Sequence, residues 1–135
     1  MKATLPRRVK KVRIERDNAS IDFELHPIPL GYAMALSHHF VPPTNGPKFK
    51  NGVQVPGEKD DYYYGLLGIL HIAKALQPSG ILETQEPRSS ADMEAYAEAL
   101  IEEFDRAGLV QADVNKLFAA VNEVNSAEVD ALGKP

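Results

Sequence analysis

The chain has 135 residues, with 15 Lys and Arg against 19 Asp and Glu, ten prolines and no cysteine. That length suits one domain with a buried core, the missing cysteine excludes disulfides, thiolate metal sites and cysteine nucleophiles, and no apolar run reaches the ~18 residues a membrane helix needs. Charge is divided along the chain: Lys2, Arg7, Arg8, Lys10, Lys11, Arg13 and Arg16 against Glu15 give residues 1–16 a net of +6, and the other 119 residues carry −10, the pattern of a protein that associates through opposed fields.

The basic start lacks the apolar stretch of a secretory leader. Residues 9–26 then read as a β-hairpin, with period two on both arms: Val12 and Ile14 alternate with Lys11, Arg13 and Glu15, and Ile21, Phe23 and Leu25 alternate with Asp22, Glu24 and His26. Asp17-Asn18 supplies the turn, because both residues tolerate left-handed backbone. The turn sets a register in which Ile14 faces Ile21, Val12 faces Phe23, Arg13 faces Asp22 and Lys11 faces Glu24. One face becomes apolar and the other places opposite charges across from each other. Two strands alone are marginal, so the hairpin should pack on helices or add strands from a neighbouring subunit.

Pro27 and Pro29 end the second strand and lead into a short helix over about Leu30–Phe40. Residues 41–60 hold four prolines and three glycines, and Asn51-Gly52 predicts a second small hairpin or an ordered loop. Asp61–Leu76 is the central helix, capped by Asp60 or Asp61 and apolar on most sides, so it is either surrounded in the core or lies in a subunit interface. Residues 77–89 form a second loop. Ser89-Ser90-Ala91-Asp92 opens the next helix with a capping-box pattern, followed by one apolar stripe of Met93, Tyr96, Ala97, Leu100, Ile101 and Phe104. Gly108 closes that helix. Val110, Val114, Leu117, Phe118 and Val121 mark a last helix over about Gln111–Asn125, expected to form an antiparallel pair with its predecessor. Ser126 can cap one final turn.

The expected fold is therefore α+β: an N-terminal β-hairpin, a second small hairpin at Asn51-Gly52, and a mainly helical body of about four helices. It forms a single domain over 1–135, made of a basic hairpin segment (1–29), a short helix and long loop (30–60), a helical core (61–125) and a tail (126–135).

No arrangement of residues announces catalysis, and no enzyme activity or cofactor is expected. Adjacent His38 and His39 point about 100° apart on a helix and cannot share one metal with His26 or His71. Glu98, Glu102, Glu103 and Asp105 read as a solvated helix face. Gly65-x-x-Gly68 reads as a place where a neighbouring helix comes close, and no phosphate loop or nucleophile elbow is present. Nucleic-acid binding is not expected: the body is acidic, and the basic residues alternate into a strand without interleaved aromatics. Candidate partner-binding residues are Tyr62, Tyr63 and Tyr64, whose rings spread over about 200° of helix so that one or more must leave the core. To these are added Phe49 near the tip of the middle loop, and Arg7, Arg8 and Lys10 on the basic edge.

The organisation resembles the tail assembly chaperones of long-tailed bacteriophages. The resemblance is carried by the strand pair running into FELHPIPLGYAMAL, by the acidic helical half MEAYAEALIEEFDRAGLVQADVNKLFAAVNEVN, and by Gly133-Lys134. In many relatives such a dipeptide marks a programmed frameshift that yields an extended second product. The middle loop with Asn51-Gly52 departs from the pattern. The resemblance implies a protein of the host cytoplasm that self-associates, binds the tape measure protein, recruits tail tube subunits to it and leaves before the virion is complete. The alternatives are a structural tail or connector protein retained in the virion, or a small acidic regulator that binds a host protein.

Overall fold

In the computed structural model, residues 1–39, 48–55 and 60–126 are described. Strands β1 (Lys10–Arg16) and β2 (Ala19–Leu25) form an antiparallel pair, followed by helix α1 (Leu30–His39). Strands β3 (Lys48–Lys50) and β4 (Val53–Val55) form a second two-stranded hairpin, and helices α2 (Asp60–Leu76), α3 (Met93–Arg106) and α4 (Gln111–Asn125) complete the chain. The fold is α+β, as the sequence predicts. Phe40, the capping side chains of Asp60 and Asp61, and Gly133-Lys134 with any turn after Ser126 lie outside the described residues.

The first hairpin has the predicted register throughout, with Ile14 opposite Ile21, Val12 opposite Phe23, Arg13 opposite Asp22 and Lys11 opposite Glu24. Asp17 (φ 49°) and Asn18 (φ 69°) make the turn with both residues left-handed, which matches the twist of the strands. Asn51 (φ 54°) and Gly52 (φ 78°) do the same for β3–β4. Period two places Lys10, Val12, Ile14 and Arg16 on one face of β1. Val12 and Ile14 are buried in the core. The basic residues at the two ends of the row bracket α4: Lys10 donates to Glu123, and Arg16 donates to Asp113 and, at 2.9 Å, to the Gly108 carbonyl. Strand β1 thus runs antiparallel to α4 and is tied at both its ends, so the hairpin packs on the helices of its own chain.

Helix α2 is the centre of the core. Leu66, Leu70, Ile72, Ala73, Ala75 and Leu76 are buried on several sides of it, with β2, α3 and α4 packed around them. From Leu66 onward α2 is thus largely enclosed, whereas Tyr62, Tyr64 and Gly65 nearer its start are exposed. The expected antiparallel pairing of α3 with α4 is corrected: each packs chiefly on α2 and much less on the other. The reason is α2 itself, which offers apolar surface on opposite sides and takes one helix on each. Between them the chain reverses at Gly108 (φ 90°), where the Leu109 N–H donates to Phe104 O and the Gly108 N–H to Asp105 O, both at 3.0 Å. These two bonds satisfy the last carbonyls of α3, and they put Leu109 into the core beside Phe104. The Ser89 side chain accepts from the Ala91 N–H at 3.2 Å, so it caps a short 3₁₀ turn (Ser90–Asp92) ahead of α3 rather than α3 directly.

The 77–89 connection is fastened from two sides. Glu103 accepts from the Glu83 and Thr84 N–H groups at 2.9 and 2.8 Å and from the Thr84 hydroxyl at 2.5 Å. Lys74 sits 3.1 Å from Glu86 and 4.5 Å above the centre of the Tyr32 ring. Glu103 therefore departs from the solvated role expected of it. Burial pushes its carboxyl up, but the Thr84 hydroxyl and the two amides outweigh that and hold it below its ordinary range.

Candidate docking groove

Because α3 and α4 lie on different sides of α2, the reversal between them leaves an open groove of about 310 Å³. Its floor is one stripe of α2, formed by Tyr62, Gly65, Leu66 and Ile69 at helical spacing. One wall is Ile101, Phe104 and Asp105 of α3, and the other is Leu109, Val110 and Val114 leading into α4. Leu66, Ile69, Phe104 and Leu109 are buried beneath it, whereas Ile101 is 40% and Val110 54% exposed. Gly65 opens the middle of the floor: a Cβ added there meets nothing within 4 Å. Gly68, one turn on, has the Phe118 ring 3.5 Å from where its Cβ would stand. The close approach expected at Gly65-x-x-Gly68 therefore holds for Gly68, while Gly65 faces open space.

The rim on the α3 side is acidic. Glu94, Glu98, Ile101 and Asp105 recur at i, i+4, i+7 and i+11 and share one face of α3. The Tyr62 hydroxyl donates to Glu98 at 3.0 Å, and the Tyr63 hydroxyl donates to Glu94 at 3.2 Å. The bond to Glu98 raises the pKa of Tyr62. Burial, and after it the bond to Glu94, raises that of Tyr63. The two rings meet edge to face at 5.6 Å. Among the described residues no basic side chain lies within ion-pair distance of Glu94, Glu98 or Asp105.

The candidate partner-binding residues are dispersed. Tyr62 lines the groove, Tyr63 packs half-buried on the core beside it, and Tyr64 is 61% exposed and does not line it. Two of the three rings, Tyr62 and Tyr64, thus leave the core and Tyr63 rests against its edge. Phe49 stands opposite Gln54 in β3–β4, and its side chain lies outside the described residues. Arg7 and Arg8 belong to an exposed segment before β1, and Lys10 is engaged by Glu123. Sequence reasoning missed Gly65, Ile101 and Val110 as a shared lining. The available signal was the width of the α3 stripe: Ile101 follows Leu100 directly, so the two cannot both face α2.

A second, smaller cavity of about 170 Å³ lies between Tyr32, Leu36, Glu86 and Met93. Burial raises the Tyr32 hydroxyl well above its ordinary value and, with Glu86 nearby, raises Tyr96 to about 12, so both stay neutral at physiological pH. Among the described residues no group of three or more His, Asp or Glu side chains could hold a metal ion, and no helix is long and apolar enough to cross a membrane. Comparison with known protein families, curated proteins and solved structures finds no match.

Proposed function

We propose that this chain is an assembly chaperone of the phage-tail type, which holds a helical, aggregation-prone tape measure protein and brings tail tube subunits to it by protein–protein contact. The observation that carries the reading is the open apolar groove along Tyr62, Ile101 and Val110, beside a carboxylate rail that has no basic partner among the described residues. Such a groove suits an amphipathic segment laid along it, apolar side chains inward and basic ones toward the rail. It is small, with a charged edge, and so supports replaceable contacts rather than a permanent dry interface. Temporary occupancy is what a chaperone needs if it is to leave the finished particle.

The test is co-purification of the tagged chain with the tape measure protein of the same phage, together with mass spectrometry of purified virions. Expected are a complex in infected cells that Gly65→Leu disrupts and no trace of the chain in the virion. Stoichiometric presence in virions would instead identify a retained tail or connector component. Loss of co-purification with no effect on tail length or yield would point to a regulator of a host protein.

A further inference from the structure

Residues 1–9 are exposed at every position and adopt neither helix nor strand. Met1, Leu5 and Val9 are 115%, 86% and 43% exposed, the first two with almost no covering atoms. In extended backbone, Met1, Ala3, Leu5 and Val9 fall on one side together with Arg7, and Lys2, Thr4, Pro6 and Arg8 on the other. Leu5-Pro6 favours that extended form, since the residue before a proline avoids helical backbone. The apolar side has odd parity, whereas the core row of β1 (Val12, Ile14) has even parity. Continued as a strand, the segment would therefore turn its apolar side away from its own core.

We propose that the Met1–Val9 segment of one copy docks in the α2–α3–α4 groove of a second copy. This rests on the reading of the groove as a protein-docking site and assigns it an occupant before any client arrives. Apolar Leu5 meets Leu66, Ile101 and Val110, Arg7 on the same side meets Asp105 within the groove lining, and Lys2 on the other side reaches Glu98 on the rim. The direction of β1 selects a second copy over the same chain. Lys10 is tied to Glu123, near the C-terminal end of α4, while the groove opens at the other end, where Arg16 meets Asp113 and Gly108. Asp113 and Glu123 are separated by about 15 Å of helix. The segment leaves the fold at the end remote from its own groove, and the line of β1 continued back from Lys10 points away from that groove. It would have to reverse to enter that groove, but reaches a neighbour's without reversal. The contact is heterologous, groove to tail, so each added copy presents a new groove and a new tail.

Two full-length variants and one peptide test this. Gly65→Leu fills the groove where there is open space and leaves the tail intact, while Leu5→Asp spoils the tail and leaves the groove intact. Each alone should scatter light as a single chain, and an equimolar mixture should reach the mass of two chains, because one good groove remains for one good tail. A labelled peptide of residues 1–9 should bind the Leu5→Asp protein saturably and bind Gly65→Leu at least about tenfold more weakly. Glu98→Lys, on an exposed position, serves as a second groove variant and should weaken the peptide by a similar factor. A mixture that remains single-chain, or a peptide that binds Gly65→Leu as well as the parent, overturns the proposal. The chaperone reading is separable: Leu5→Asp should still hold the tape measure protein. If Gly65→Leu loses the tape measure protein but both variants self-associate like the parent, the self-docking inference fails alone.

Discussion

Asp113 joins three parts of the molecule through one carboxylate. It accepts the Val110 N–H at 2.9 Å, which satisfies a donor at the start of α4, and it receives the Arg16 guanidinium from the end of β1. The position, at the N-terminal turn of a helix, favours negative charge in its own right. The bond from Arg16, and then that from Val110, lower its pKa below the ordinary 3.8. A carboxyl lowered in the folded state stabilises fully above its unfolded pKa, and that contribution is lost as pH falls through the folded value. Asp113→Asn should therefore lower the urea midpoint near neutral pH, and the gap from the parent should close as the pH is taken below 3.8. The side chain of Asn resembles the protonated acid, so a gap of constant size down to about pH 2 would show that the charge is not what matters.

At the scale of elements, two glycines have opposite tasks. Gly108 ends α3 at φ 90°, where a Cβ is strained, and its reversal is what separates α3 from α4. Gly65 lies inside α2 in ordinary helical backbone with open space over it. Gly108→Ala should destabilise by at least about 1 kcal/mol, whereas Gly65→Ala should stabilise by about 0.5–1 kcal/mol. Thermal or urea unfolding reads both signs, and a stabilising Gly108→Ala would contradict the reversal described here. The elements themselves were legible because each has a local cause. Asp17-Asn18 admits only the register that pairs Ile14 with Ile21, and Gly108 stops the Met93–Phe104 stripe. How α3 and α4 sit was not legible. Stripe residues such as Leu117 and Leu100 reveal that a face is buried, but not against which helix, and α2 is apolar enough to accept both. The groove depends on that placement, so Tyr62 was visible as a candidate but Ile101 and Val110 beside it were not.

For the whole molecule, the split of charge looks different once folded. Lys10, Arg13 and Arg16 are engaged by Glu123, Asp22 and Asp113. The Arg13–Asp22 pair is solvent-exposed and holds Asp22 down and Arg13 up by a direct hydrogen bond. Part of the basic segment is thus answered within the hairpin and α4, which leaves Lys2 and Arg7 of the exposed start and the acidic face of α3 as the charges the proposed contact brings together. An association built on those two should weaken with salt, since the screening length falls from about 10 Å at 0.1 M to about 3 Å at 1 M. The scattering mass at a fixed protein concentration should fall between those two conditions, and a mass that holds or rises would assign the association to apolar contact alone.

Hydrogen-exchange mass spectrometry on the unaltered chain, dilute against concentrated at low salt, tests the docking groove most directly. Added protection should appear together in residues 1–9 and in the groove segments 62–69 and 101–114, with the outer edges of β1 and β2 unchanged. Protection confined to the hairpin, or the appearance of none as the mass grows, would contradict the groove as the site where partners dock.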